Sequence, residues 1–281
     1  MWLFTPERII PGNMVYELKH NSRTIGADSR EIGEKVKALY SSFCEGEIVV
    51  TDIRTAEMTK VVENTFRDIN IAFANELAKI CRSDNMDVYE IIRIANKHPR
   101  VNILTPGPGV GGHCISVDPW FLVGDYPGLS NIILAARKIN DSMPDFVLER
   151  IHNIMKENGL TDVGRVGLYG LTYKENVDDT RESPTLQMLE SMERHLCGGQ
   201  IKVYDPYVTR DIVPNPTQLA HSCEKSAQLC DTQRITGCAP RRLLLTKIAF
   251  GRPHKPIHHN LCCYFPPTVA LCEHATMTTY S

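Results

Sequence analysis

No stretch of eighteen or more apolar residues occurs in the 281-residue sequence, which excludes a transmembrane helix. The opening "MWLFTPERIIPGN" has neither a basic n-region nor a long apolar core. No secretory signal is read there, and a cytoplasmic location is expected. An excess of charge is also lacking: the formal net charge is −2, which leaves no footprint for nucleic acid or an anionic membrane. No C-x-x-C pair is present, although the chain has ten cysteines. Cys44, Cys81, Cys114 and Cys197 are scattered through residues 1–213, and the other six crowd in after them. That distribution is not the disulfide framework of a small secreted domain. What remains is an ordinary globular composition, 42% hydrophobic and 23% charged, in a chain long enough for two domains.

Residues 1–26 read as loop and short strand, followed by a helix from Ser29 to Phe43 with Ser29 or Asp28 as its cap. In the next segment Met58, Val61, Val62, Phe66, Ile69, Phe73, Leu77 and Ile80 recur at three- and four-residue steps. The spacing predicts one long amphipathic helix over residues 52–82. Such a helix bridges domains or packs on a second subunit. A shorter helix, "MDVYEIIRIANK", precedes a Gly/Pro-rich loop, and two more lie between Leu129 and Asn158, the second with Pro144 in its first turn. From residue 165 the pattern changes to strand ("RVGLYGL"), polar loop, helix capped by Ser183 with Pro184 at its start, and strand ("IKVYDPYV") ending in Asp205. This is a βαβ unit with parallel strands, and a domain boundary is placed near residue 160. Residues 214–281 hold seven prolines, five histidines and six cysteines with no period of 2 or 3.6. Cysteine and histidine are the right ligand types for a metal, but spacings such as Cys223, Cys230 and Cys238 are irregular. The segment is read as a disordered or out-of-frame tail, and no metal is expected.

The loop "TPGPGVGGHCISVDPW" contains Gly107-x-Gly109-x-x-Gly112, which matches the dinucleotide fingerprint in letters. A working fingerprint follows a strand and opens a helix. Here Pro106 and Pro108 interrupt the turn, "NILT" is too short for a core strand, and "HCISVDP" does not read as a helix start. Glycines also admit close approach of backbone to a ligand. Cys114, beside His113 and four residues before Asp118, is either a small buried hydrophobe or a nucleophile on a loop. Lys60 and Asn64 stand one turn apart on the long helix. They form a solvated edge, or an ammonium and an amide aimed at a developing oxyanion.

Three motifs in order, "TAEMTKVVENTF…NELAKIC", "PGPGVGGHCISVDPW" and "GLTYKENVDDTRESP", resemble the UDP-glucose/GDP-mannose dehydrogenase family over residues 1–213. The resemblance implies an α/β protein: the end of an NAD-binding Rossmann domain (1–45), a central all-helical dimerisation and catalytic domain (46–160), and a partial Rossmann-like UDP-binding domain (161–213). It implies NAD-dependent four-electron oxidation of a UDP-sugar C6 hydroxyl to a carboxylate, for polysaccharide precursors. The "GGHC-x-x-VDPW" form leans toward UDP-N-acetyl-D-mannosamine as substrate, with UDP-glucose as the alternative. By the same resemblance Cys114 is the nucleophile that passes through a thiohemiacetal and a thioester. Lys60 and Asn64 stabilise oxyanions, Asp118 assists proton transfer or orders water, and Glu7 serves thioester hydrolysis. Lys174, Arg100, Gly111, Gly112 and His113 meet the nucleotide-sugar, Arg100 from a partner subunit. Arg181 meets the nicotinamide cofactor, and the helix over 52–82 carries a homodimer. The family's N-terminal glycine fingerprint is not found here, so the chain is expected to be truncated and a poor dehydrogenase. The rival expectation is a non-catalytic dimerisation or nucleotide-sugar-binding remnant.

Overall fold

Two short runs containing β-branched residues, separated by a polar helical stretch, build the parallel pair of a three-stranded sheet. A computed structural model describes residues 2–9, 13–159, 161, 166–174, 177–195, 202–205, 207–208 and 268–271. In it β2 (Arg23–Ala27) and β3 (Ile48–Thr51) are parallel with Ile25 opposite Val50, and β1 (Leu3–Phe4) pairs antiparallel with β2. Helix α2 (Arg30–Tyr40) makes the crossover that parallel strands require. Ser29 is its N-cap, with Oγ accepting from the Ile32 amide at 3.4 Å. Ile25, Cys44 and Ile48 are buried beneath it, with Val36, Tyr40 and Val50 packed against them.

A helix absent from the sequence reading, α1 (Met14–His20), stands between β1 and β2. None of its residues is buried. Glu17 in its first turn and Lys19 and His20 in its last complement the helix dipole, so it forms without the apolar periodicity that would have announced it. A second correction concerns "HCISVDP": helix α5 (Asp118–Asp125) starts there. Asp118 and Pro119 occupy its first turn, where a carboxylate meets the positive end of the dipole and a missing N–H costs nothing.

The expected long helix is α3 (Ile53–Ser83). Its apolar stripe faces outward: Met58, Val62, Phe66, Phe73 and Ile80 are exposed. The buried face is small and polar instead, with Ala56, Asn64, Thr65, Asp68, Ala72, Ala74, Asn75 and Ala78. The chain divides into two compact units inside this helix. One comprises Met1–Arg67 and Asp118–Ser130, the other Asp68–Val117 and Asn131–Ser281.

In the second unit, α4 (Val88–Ala95) is capped by Asp87, whose carboxylate accepts from the Tyr89 and Glu90 amides. Helices α6 (Asn131–Asp141) and α7 (Met143–Glu157) follow, with Pro144 in the first turn of α7. Then come β4 (Val166–Tyr169), α8 (Pro184–His195) and β5 (Lys202–Tyr204), with β4 and β5 parallel as the βαβ pattern predicts. One hydrophobic cluster runs through Ala74, Val88, Ile151, Leu168, Met188 and Val203. Packing therefore crosses residue 160 within the second unit. Within 214–281, β6 (Thr268–Leu271) pairs antiparallel with the open edge of β4. This part of the expected tail is a strand, because an unpaired strand edge offers backbone groups that an extended segment satisfies. The tail's cysteines and histidines lie outside the described residues. No described helix is long and apolar enough to cross a membrane.

Candidate active site

The expected site residues fall into the two units, and each set is described within its own. In the first unit, Lys60 and Asn64 share a face of α3. Asn64 is buried, which removes the solvated-edge reading for the amide, and its Nδ2 donates to Asp118 Oδ2 at 2.6 Å. The bond joins residues 54 apart in sequence. Lys60 is half-buried and its Nζ donates to the Glu7 carbonyl at 2.8 Å. Glu7 is exposed, but its carboxylate is held on three sides: Oε1 accepts from the Arg8 and Ile9 amides at 2.7 and 3.0 Å, and Oε2 pairs with Arg23 at 3.1 Å. Partial burial pushes this carboxyl up, but the Arg8 amide, the Arg23 guanidinium and the Ile9 amide outweigh it and hold it below the ordinary value. Arg8 in turn pairs with Glu63, on α3 between Lys60 and Asn64. Four of the expected residues thus share one polar region of one unit.

Arg23 was not singled out by sequence. Its side chain is only 6% exposed, and its guanidinium lies over the Tyr40 ring, 5.0 Å from the centroid. A basic residue opening a strand of apolar neighbours was the available signal.

In the second unit the glycine-rich loop carries Cys114 into solvent, unlike the buried Cys44 and Cys81. Exposure removes the small-hydrophobe reading. His113 is exposed beside it, and the Val117 amide donates to the Cys114 carbonyl at 3.1 Å. The loop packs on the segment after β4. A Cβ at Gly111 would lie 2.6 Å from Tyr173 Cβ, and Gly112 has φ +84° with its amide donating to the Arg181 carbonyl at 2.9 Å. Glycine is required at both positions, by close approach at the first and by backbone angle at the second. Arg181 grips Asp179 in a fork at 2.9 and 2.6 Å, which draws the Asp179 carboxyl down. Tyr173, missed by the sequence reading, neighbours Lys174 in "GLTYKENVDD". Burial and the charge of Asp179 raise its phenol. Lys174 is half-buried, and its carbonyl accepts from Thr172 Oγ1. Arg100 is exposed at the end of the turn after α4, apart from the loop's polar contacts.

The dinucleotide fingerprint match has no structural counterpart. Among the described residues no strand leads into Gly107, and the following helix begins at Asp118 rather than at Gly112. The turn from β2 to α2 is Asp28–Ser29 and contains no glycine. Neither turn forms a pyrophosphate cradle, so the described residues do not fit a dinucleotide site. No described cluster of His, Cys, Asp or Glu has the makings of a metal site.

Comparison with known proteins gives matches to two sequence models of one family. The UDP-glucose/GDP-mannose dehydrogenase central domain matches residues 54–142, and the UDP-binding domain of the same family matches residues 167–236. The second match runs past residue 213, where the sequence reading ended the resemblance. The chain is similar to a UDP-N-acetyl-D-mannosamine dehydrogenase of Methanocaldococcus jannaschii, 50% identical over 209 residues, covering 74% of this chain and 47% of that protein. It is similar to an NDP-N-acetyl-D-galactosaminuronic acid dehydrogenase of Ralstonia nicotianae, 45% identical over 203 residues, covering 72% and 47%. The solved UDP-D-ManNAc dehydrogenase of Pyrococcus horikoshii superposes with a TM-score of 0.70 at 41% identity, covering 74% of this chain and 49% of that one. The chain spans about half the length of the relatives it matches. With both matched domains in order and together covering more than half of its residues, the chain belongs to the UDP-glucose/GDP-mannose dehydrogenase family.

Proposed function

We propose that these residues serve the oxidation of UDP-N-acetyl-D-mannosamine at C6 to the corresponding uronate. Two NAD molecules would accept the two hydrides. Hydride transfer is assigned to no described residue, because none forms the dinucleotide cradle. The part assigned to the described residues lies between the two oxidations and after the second. Cys114 as thiolate adds to the C6 aldehyde carbonyl and keeps the reactive intermediate covalently held. Lys60 and Asn64 stabilise the resulting oxyanion, and Asp118 takes or returns the proton. At the thioester stage Glu7, its carboxyl held low by the Arg8 amide and Arg23, activates the water whose oxygen enters the carboxylate and whose attack releases the Cys114 sulfur. Lys174, Gly111, Gly112, His113 and a partner's copy of Arg100 would hold the sugar nucleotide, and Arg181 would meet the cofactor supplied to the site.

The observation that carries the reading is the Asn64–Asp118 bond beside the Lys60–Glu7 contact. Within one unit it brings an amide and an ammonium of α3 to Asp118 at the start of α5 and to the backbone of Glu7. The exposed stripe of α3 supports a homodimer, since five large apolar side chains on one helix otherwise face water. A second reading is binding of the nucleotide-sugar without turnover, since no turn among the described residues forms a dinucleotide cradle. The two separate in one assay: NADH formation with UDP-N-acetyl-D-mannosamine, against UDP-glucose and the Cys114→Ala variant. Two NADH per sugar, lost in the variant, supports the dehydrogenase. Binding of the sugar nucleotide without NADH supports the second reading.

A further inference from the structure

We propose that Asn70, Asn75 and Asn96 are positioning residues, a clamp of three side-chain amides that sets the loop presenting Cys114. The inference rests on the reading of Cys114 as the nucleophile. Residues 102–107, which lead into that loop, belong to no helix or strand. Backbone groups in such a segment need partners, and here carboxamides supply them. Asn70 Nδ2 donates to the Asn102 carbonyl at 2.8 Å and its Oδ1 accepts from the Leu104 amide at 3.1 Å. Asn96 does the same for a single residue, donating to the Ile103 carbonyl at 2.9 Å and accepting from its amide at 2.7 Å. Asn75 Oδ1 accepts from the Gly107 amide at 2.8 Å. A carboxamide carries one acceptor and one donor group in a plane, as a peptide unit does. The three side chains therefore act as a surrogate neighbouring strand. Pro106 needs no partner for an amide it lacks.

The third contact has a fixed polarity. Asn75 Nδ2 donates to Asn140 Oδ1 at 2.8 Å, and Asn140 Nδ2 donates to Asp68 Oδ1 at 2.8 Å. Asp68, paired with Arg137 at 2.6 Å, is a carboxylate and only accepts. Each donor in this series is committed inward, so Asn75 turns its oxygen toward Gly107 and cannot flip. Asn75, Asn140 and Asp68 are at most 1% exposed, so water does not compete for these bonds. From Gly107 the chain runs through Gly111 and Gly112, pinned on Tyr173 and Arg181, to Cys114. The clamp fixes one end of the loop and those contacts fix the other.

The test compares Asn70→Ala, Asn75→Ala and Asn96→Ala with the parent chain by site-resolved amide exchange and by iodoacetamide alkylation of Cys114, followed by peptide mass spectrometry. Neither readout needs cofactor or sugar, so a chain without dehydrogenase activity still decides the matter. Each variant is expected to raise exchange at its own amide, Leu104, Gly107 or Ile103 respectively, by about fivefold, the factor for one lost hydrogen bond. The rate of Cys114 alkylation and its pH profile should change with it, while amides of α7 keep their protection. Unchanged exchange at all three amides overturns the clamp. Raised exchange with alkylation of Cys114 as in the parent overturns its positioning role. Asn70 and Asn96 are not fully buried, so their variants decide the question even if Asn75→Ala does not fold.

Discussion

Arg137→Met removes the cation from an ion pair whose members are 2% and 0% exposed. Removing one partner of such a pair leaves a buried charge uncompensated, a loss of about 3–5 kcal/mol. For a unit of this size each kcal/mol shifts the melting midpoint by about 2–4 °C, so the expected drop is roughly 6–20 °C. The loss should also depend on pH. Burial raises the Asp68 carboxyl, and Arg137 is the strongest influence pulling it back. Without Arg137 its folded-state pKa rises further above the ordinary 3.8. Between the unfolded and folded values the native state then binds more protons than the unfolded chain, so stability falls as pH rises through that window. The deficit of Arg137→Met should be smallest in acid and grow toward neutrality. The double variant Asp68→Asn/Arg137→Met should recover much of it, since a neutral amide needs no counter-ion. Urea unfolding followed by circular dichroism at several pH values measures both effects. A deficit below about 1 kcal/mol, flat across pH, would refute the reasoning.

Gly111→Ala forces a Cβ to 2.6 Å from Tyr173 Cβ and 2.5 Å from the Glu182 carbonyl. Overpacking of this kind costs about 1–3 kcal/mol, and a calorimetric scan indistinguishable from the parent would contradict the packing. Arg23→Met should flatten the acid limb of the stability profile. The lowered Glu7 carboxyl contributes stability above its unfolded value near 4.5 that is lost as pH falls through the folded one, and much of that lowering comes from Arg23. Acid titration monitored by tryptophan fluorescence tests it, with an unaltered limb as the adverse result. Phe66→Glu with Phe73→Glu should convert a dimer to monomers in sedimentation velocity, whereas a monomeric parent would remove the reason for proposing the dimer.

Local chemistry was readable where a single residue type does one job. Ser29 capping α2, Pro144 opening α7 and the βαβ pattern over 166–204 all follow from capping and periodicity. The length of α3 was readable too, but not which side is buried. Hydrophobic periodicity identifies an apolar face without saying what covers it, and here Asp68, Asn75 and small alanines hold the interior side. In the candidate site, it was the resemblance of three ordered motifs, rather than local pattern, that nominated Cys114, Asn64 and Asp118. The side chains that hold Glu7 and Gly107 were hidden for a different reason. Arg23, Asn75 and Asn140 act through hydrogen bonds to residues 16 to 72 positions away, and such bonds leave no trace in local pattern. Helix α1 escaped because it has no buried face at all.

The path of the chain through its two units sets an order in time. The first unit is interrupted: after Arg67 the chain builds residues 68–117 elsewhere and returns with residues 118–130. Asn64 thus leaves the ribosome 54 residues before Asp118. At about 5–20 residues per second, that delay is roughly 3–11 seconds, far longer than a helix takes to form. Once Ser83 has followed, α3 is complete while the buried amide still lacks its acceptor and the outward apolar stripe is already displayed. The nascent chain is therefore adhesive before it is finished, and slow translation over residues 68–117 would lengthen its exposure to chaperones and to other copies of itself.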